Sequence, residues 1–399
     1  MKKIIFCVAG ALILAGLITV VVLFAGNTPN TPNTTSGSGS TSSSESSSQS
    51  VQIDRPMISI SLPMLSETDT ADNGATIFLR TYQDVVLDLP NADIARTVTL
   101  DLLRRMDVHS DILNSVQSNA FADYTGQDPW MPYHYKLLYN PTRIDEALLS
   151  LYGEENIYSS SVSGLTGMAV TYDLLTGTAL RLLDVLSEEG DASQALLDAL
   201  LGVLAEKKEE LMLFDDYDSI ITSRFSTDLQ QQSTWYFSQD GLCFFYSPYD
   251  IAPNSVGIVT VTIPYSALSG IVQDRYFPAE QASFPGDLTI HNFADAPADT
   301  LEHFSELILD HSGKQYLLTT DGVLYDLSVT SGYFIGSRFV ADATVYHANF
   351  LSPQQGFVLK ADLTQEQRAI LIRYCADGVA YQFYLQNGAS DVPVLNPVS

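Results

Sequence analysis

The chain has 399 residues, 47 of them acidic and only 19 basic, for a formal net charge of −28. A balance this acidic argues against nucleic acid or anionic lipid as partner and favours capture of a cationic one; solubility is the plainer reason for it. Three cysteines are too few for a disulfide scaffold. The length suggests two folded units behind any targeting segment.

Chain order begins with MKKIIFCVAGALILAGLITVVVLFAG, in which the uncharged run 4–26 follows two lysines. At ~1.5 Å per residue this run spans a ~30 Å hydrocarbon layer, so 1–26 is expected to be an uncleaved signal-anchor with its short end in the cytoplasm. Localisation is then the cell membrane, single-pass, with the C-terminal ectodomain outside. Cys7 lies near the start of this run, with the bulk of the apolar region after it, which is the wrong order for a lipoprotein. Residues 27–55 are rich in Ser, Thr, Asn and Gly and cannot bury enough surface to order themselves, so they read as a flexible linker.

The alternation in MISISLPML (57–65) predicts a strand, and IFLRTYQDVVLDLP (77–90) a second. Asn91 is placed to cap a helix through about Gln117, with Ile94, Val98, Leu102 and Met106 on one face. Several strands follow over 129–186, punctuated by Asn140-Pro141, Gly153 and Gly164. Asp173–Gly177 (DLLTG) reads as a tight turn, with TALRLLDVL as the strand after it. From Ser193 to about Met212 the leucines 196, 197, 200, 201, 204 and 211 form one face of a second main helix. Asp240-Gly241, Asp321-Gly322 and Asp377-Gly378 each precede an apolar-aromatic run and predict hairpins. Loop-rich sequence after Pro278 marks a domain boundary. Beyond it come strands, a short helix opening at Leu363-Thr364 with capping-box spacing from Thr364 to Gln367, a last strand pair and a loose tail.

Catalytic and metal signatures are missing: no G-x-S-x-G, P-loop, H-E-x-x-H or C-x-x-C occurs. His303 and His311 flank Asp310, yet ordinary polar positions explain them better than a metal pair. The acid pairs Glu188-Glu189 and Asp215-Asp216 are expected by chance among 47 acids. No catalytic residue, metal site or cofactor is assigned. Cys243, within an aromatic strand, reads as a buried free thiol, and its pairing with Cys375 is unsupported.

Two segments carry a family resemblance. Asp173-Leu174-Leu175-Thr176-Gly177 followed by LRLLDVL (180–186), and DGLCFFYSPYDIAPNSVGIVTVTIPYSAL (240–268), resemble the RsiV-type extracytoplasmic domain, the second motif more specifically than the first. The resemblance covers about 57–277. That domain occurs on membrane-anchored anti-sigma factors, where it binds lysozyme, and beside PdaC-type peptidoglycan deacetylases. It implies an α+β fold over 56–278, an antiparallel sheet with two main helices, followed by a β-rich domain of unknown type over 279–399. Only Met1-Lys2-Lys3 precede the apolar run, so no sigma-binding segment is expected, and no deacetylase motif follows Pro278.

The expected function is therefore a membrane-anchored binding protein. Its partner is a muramidase or another cationic cell-wall-active protein, with peptidoglycan second; the alternative is a cell-wall carbohydrate-active enzyme with its site in the C-terminal domain. The expected contact surface is the connection SPYDIAPNSVG: Pro248, Tyr249, Asp250, Ile251 and Pro253. Prolines lower the cost of ordering a loop on binding, and tyrosine is favoured at interfaces. A crossover with Tyr249 tucked into the core is the competing reading.

Overall fold

The computed structural model describes residues 55–107, 110–126, 129–160, 163–279, 281, 284, 286–295, 303–364, 368–387 and 393–398. The expected anchor and most of the linker lie outside these. Among the described residues no helix is long and apolar enough to cross a membrane.

The first strands are β1 (Ser59–Ser61), β2 (Met64–Thr70), β3 (Thr76–Gln83) and β4 (Val86–Asp88), so each strand expected at 57–65 and 77–90 is broken in two. Helices α1 (Ala92–Asp107) and α2 (Ser110–Asp123) replace the single helix expected from Asn91 to Gln117. Asn91 does cap α1: its Oδ1 accepts from the amides of Asp93 at 3.1 Å and Ile94 at 3.3 Å. Val98 and Leu102 are buried as the periodicity required.

Next come β5 (Tyr133–Ile144), β6 (Leu148–Tyr158), β7 (Ser163–Asp173) and the short β8 (Thr178–Ala179). With β2 and β3 they form a six-stranded sheet in the order β2-β3-β5-β6-β7-β8. The sheet is mixed, not purely antiparallel, because β3 and β5 run parallel. Asn140, Pro141, Gly153 and Gly164 lie inside these strands rather than between them. Gly153 is needed for closeness: a Cβ there would sit 2.8 Å from the Tyr139 ring. The DLLTG turn holds, with Asp173 Oδ1 accepting from Leu175 and Thr176 and with Gly177 at φ 73°. The strand expected after it stops at Ala179. Leu182–Val185 is a helical turn, α3, because the Asp184 carboxylate takes the Arg181 amide at 2.8 Å.

Helix α4 (Ala192–Glu206) is capped by Asp191 and buries Leu196, Leu197, Leu200 and Leu204. Helix α5 (Tyr217–Asp228) was not expected. With α1, α2 and α4 it makes four substantial helices among the described residues in place of the two expected. Strands β9 (Trp235–Phe237), β10 (Gly241–Tyr246) and β11 (Val259–Pro264) form a three-stranded antiparallel sheet, with Asp240-Gly241 turning β9 into β10 as predicted. One core joins this sheet to α3, α4 and α5; another joins the six-stranded sheet to α1, α2 and β1.

The last strands are β12 (Leu288–Asn292), β13 (His303–Ile308), β14 (Lys314–Thr320), β15 (Leu324–Ile335), β16 (Arg338–Leu351), β17 (Gln355–Ala361), β18 (Arg368–Ala376), β19 (Val379–Asn387) and β20 (Pro393–Pro397). They make a four-stranded sheet, β12-β14-β17-β13, packed on a seven-stranded sheet, β20-β19-β18-β15-β16-β1-β4. Asp377-Gly378 forms the predicted hairpin, with φ of 51° and 71°. Asp321-Gly322 instead joins strands of different sheets. The tail is not loose, since β20 pairs with β19. Residues 365–367 of the expected short helix lie outside the described residues.

Strands β1 and β4 come from before residue 278 yet complete the seven-stranded sheet, where Ile60 pairs with His347. Residues Ser50–Ser399 group as one compact unit, so the 278/279 boundary falls within it. The overall class is α+β and strand-dominated.

Candidate binding site

The β10–β11 connection is built around one tight turn. Ser247 O accepts from the Asp250 amide at 3.0 Å, and Asp250 Oδ2 accepts from the Ser247 amide at 3.0 Å. Pro248 sits second and Tyr249 third, at φ 73°. A proline followed by a positive φ is the arrangement of a type II turn, whose third position normally holds glycine. The chain holds a tyrosine there, at a cost of ~1–2 kcal/mol for a left-handed L-residue. Its side chain is 70 % exposed, so the core reading of Tyr249 fails.

Ile251 and Ala252 then dive inward and are fully buried among the α4–α5 core. Ile251 is thus not a contact residue but the anchor of the loop, and its carbonyl accepts from the Phe214 amide at 2.9 Å. Pro253 opens a single helical turn, Asn254–Val256, closed by Gly257 at φ 78°. Pro248, Asp250 and Pro253 are half-buried beside the exposed ring.

Helix α5 holds this turn from the side. Arg224 reaches Asp250 at 3.5 Å and Asp228 at 3.1 Å, and its guanidinium lies 5.7 Å from the Tyr246 ring centroid. Burial raises the Asp228 carboxyl above its ordinary range, with Arg224 opposing the shift. Sequence reasoning missed Arg224 and Asp228. The signal existed: Tyr217, Ile221 and Phe225 recur every four residues and are buried, and Arg224–Asp228 has i,i+4 spacing.

The segment stitched to Ile251 is acidic and exposed: Glu209, Glu210, Asp215, Asp216 and Asp218 all face water. Asp215 pairs with Lys208 at 3.0 Å. The site therefore offers one projecting aromatic ring on an ordered turn, with carboxylates around it.

A second concave region lies where β5 meets β15. Asp145, Glu146, Gln239, Gln281, Asp326 and Arg55 line a small open cavity of about 40 Å³. Gln239 and Gln281 donate to the two oxygens of Asp326 at 2.6 and 3.2 Å, and burial pushes that carboxyl up to about 7. The neighbouring Arg143 is 1 % exposed and donates to Asp145, to the Tyr265 hydroxyl and to the Tyr276 carbonyl. This is a structural brace. Among the described residues no group of three or more His, Cys, Asp or Glu could hold a metal ion. Cys243 and Cys375 are free thiols, Cys243 being buried.

Comparison with known proteins places the site inside the matched region. The family model "Protein of unknown function (DUF3298)" matches residues 184–266, which run from α3 through the whole 247–258 connection. Two crystal structures of DUF3298 family proteins are similar to this chain. One, from Bacteroides fragilis, is 17% identical, with 55% of this chain and 94% of that chain covered and a TM-score of 0.38. The other, from Pseudomonas aeruginosa, is 18% identical, with 57% and 99% covered and a TM-score of 0.35. No curated protein matches.

Proposed function

We propose that this is an RsiV-like binding protein, held at the outer face of the cell membrane by residues 4–26, that captures a cationic wall-active protein of the lysozyme type. One observation carries the reading: Tyr249 is exposed at the glycine position of a turn that is closed by the Ser247–Asp250 hydrogen bonds and anchored by buried Ile251. Unfavourable backbone conformations persist where function uses them. A rigid exposed tyrosine beside proline is a suitable interface anchor, since little entropy is lost when it docks. The acidic rim supplies the attraction that brings a basic partner in.

The test is titration of the full chain with a cationic lysozyme. Tyr249→Ala should weaken binding by about 1–3 kcal/mol, mainly through faster dissociation, with thermal unfolding nearly unchanged. Raising salt should slow association, because screening acts over ~8 Å at physiological ionic strength. Absence of binding, or binding indifferent to Tyr249, rejects the proposal.

A further inference from the structure

The seven-stranded sheet has two faces, and the cross-strand register assigns each side chain to one of them. Tyr346 stacks on Phe357 of β17, so its face is the sandwich core. The opposite face carries Ile60, His347 and, past two bulges in the β15–β16 pairing, Phe334 and Phe339. The six-stranded sheet covers one end of it: Asn140 of β5 accepts from the Thr344 amide at 2.7 Å. The other end, built from β15, β16, β18, β19 and β20, is lined by half-exposed side chains.

The composition of that open end departs from the rest of the molecule. Phe334, Phe339 and Tyr384 form a closed trio, with ring centroids 5.0, 5.3 and 5.8 Å apart. Arg373 lies opposite Gln382, one step along from Tyr384, and is exposed. Gln386 accepts from the Asn396 side chain at 3.0 Å on the same face. In a chain with 47 acidic residues, none of the paired positions at this end is Asp or Glu. The bulged Asp342 is engaged by Lys136 at 3.9 Å. No ion pair reaches Arg373 among the described residues; desolvation by its surroundings holds it below its ordinary range, with the Tyr384 hydroxyl opposing the shift.

We infer that this open end is a second binding site, distinct from the 247–258 loop, and that it takes an oligosaccharide bearing isolated carboxylates. Aromatic faces match the apolar C–H faces of pyranose rings. Side-chain amides can donate to and accept from hydroxyls at once. A free guanidinium is the best-matched group for a carboxylate, which it binds through two parallel hydrogen bonds. The net charge of −28 repels dense polyanions such as polyphosphates, so a charge density no higher than one carboxylate per sugar is the form that fits.

The probe is trigalacturonate, compared with its neutral methyl ester, titrated into the full chain by calorimetry. The acid should bind about tenfold tighter than the ester. Arg373→Gln, at an exposed position, should erase that preference while keeping ester binding and thermal unfolding. Tyr384→Ala should weaken both ligands, and Tyr249→Ala should change neither. Failure of both sugars to bind at millimolar concentration overturns the inference. So does a preference that survives Arg373→Gln, or tripolyphosphate binding as tightly as trigalacturonate, which indicates generic anion capture.

Discussion

Tyr249 and Asp326 are both non-glycine residues held at positive φ, 73° and 53°, and they differ in what their side chains do. Asp326 sits in a bulge of β15, where its carboxylate is gripped by Gln239 from the β9–β10 turn and by Gln281. Its strain is offset by contacts that join the N-terminal and C-terminal parts of the unit. Tyr249 has no such compensation, because its ring projects into water. Strain with partners is offset within the fold, whereas the strain at Tyr249 is offset by no side-chain contact and is the feature on which the proposed function rests.

The largest expected effect concerns the joint that Asp326 braces. Ending the chain at residue 278 removes β16, which with β4 pairs β1 among the described residues, and uncovers Ile58, Ile60 and Leu62. A 55–278 fragment should lose cooperative unfolding in urea and expose apolar surface to a dye. A sharp transition with a slope matching its size would show that the N-terminal part closes its own core.

A smaller, pH-dependent effect follows from Asp326 itself. Its folded value is raised from 3.8 to about 7. Between these values the folded chain keeps a proton that the unfolded chain gives up, so this group's contribution to stability falls as pH rises through the window. His347 has the opposite slope. It is buried with neither ring nitrogen in hydrogen-bonding geometry, although the Pro141 carbonyl slightly favours its protonated form, and burial lowers it from 6.5 to about 4. Its contribution is present above pH 6.5 and is lost as pH falls toward 4. Asp326→Asn keeps an acceptor for the glutamines and tolerates positive φ. The variant should match wild type near pH 4 and exceed it by about 1–3 kcal/mol at pH 8, a range discounted for partial exposure. A difference independent of pH would remove the carboxylate from the account.

How far these two residues could be foreseen depends on the range of the interactions behind them. Local signals were legible: the Asn91 cap, the leucine face of α4, and the turns at Asp173–Gly177 and Asp377-Gly378. Each is decided within a few residues. Pro248-Tyr249 was legible as an exposed element for the same reason, although Ile251 was misread: an apolar residue between prolines can equally point inward, and here it anchors the loop. Strand β20 reads in the sequence as a loose tail, yet it pairs with β19 at the sheet edge, where its bounding Pro393 and Pro397 are tolerated. Pairing of β1 with β16 links residues almost three hundred positions apart, and no local pattern carries that register. The bulge at Asp326 and its two glutamines depend on the same long-range assembly, so Asp326 drew no notice in the sequence.

The smallest expected effect separates the two kinds of strain most directly. Tyr249→Gly removes the left-handed penalty of ~1–2 kcal/mol but gives the unfolded chain extra freedom worth ~0.5–1 kcal/mol. The net should be a stability gain of about 0–1.5 kcal/mol, read as a small rise in the urea midpoint. Tyr249→Ala retains a Cβ at the same φ and should show no such gain. Both variants delete the ring, so both should lose the same partner affinity, and the loss then belongs to the ring rather than to a change in the turn. A buried aromatic behaves otherwise, since truncating one costs ~3–5 kcal/mol whatever replaces it. If glycine at 249 destabilises the chain by more than about 1 kcal/mol, the ring contributes to the folded state, and the contrast with Asp326 collapses into two braces.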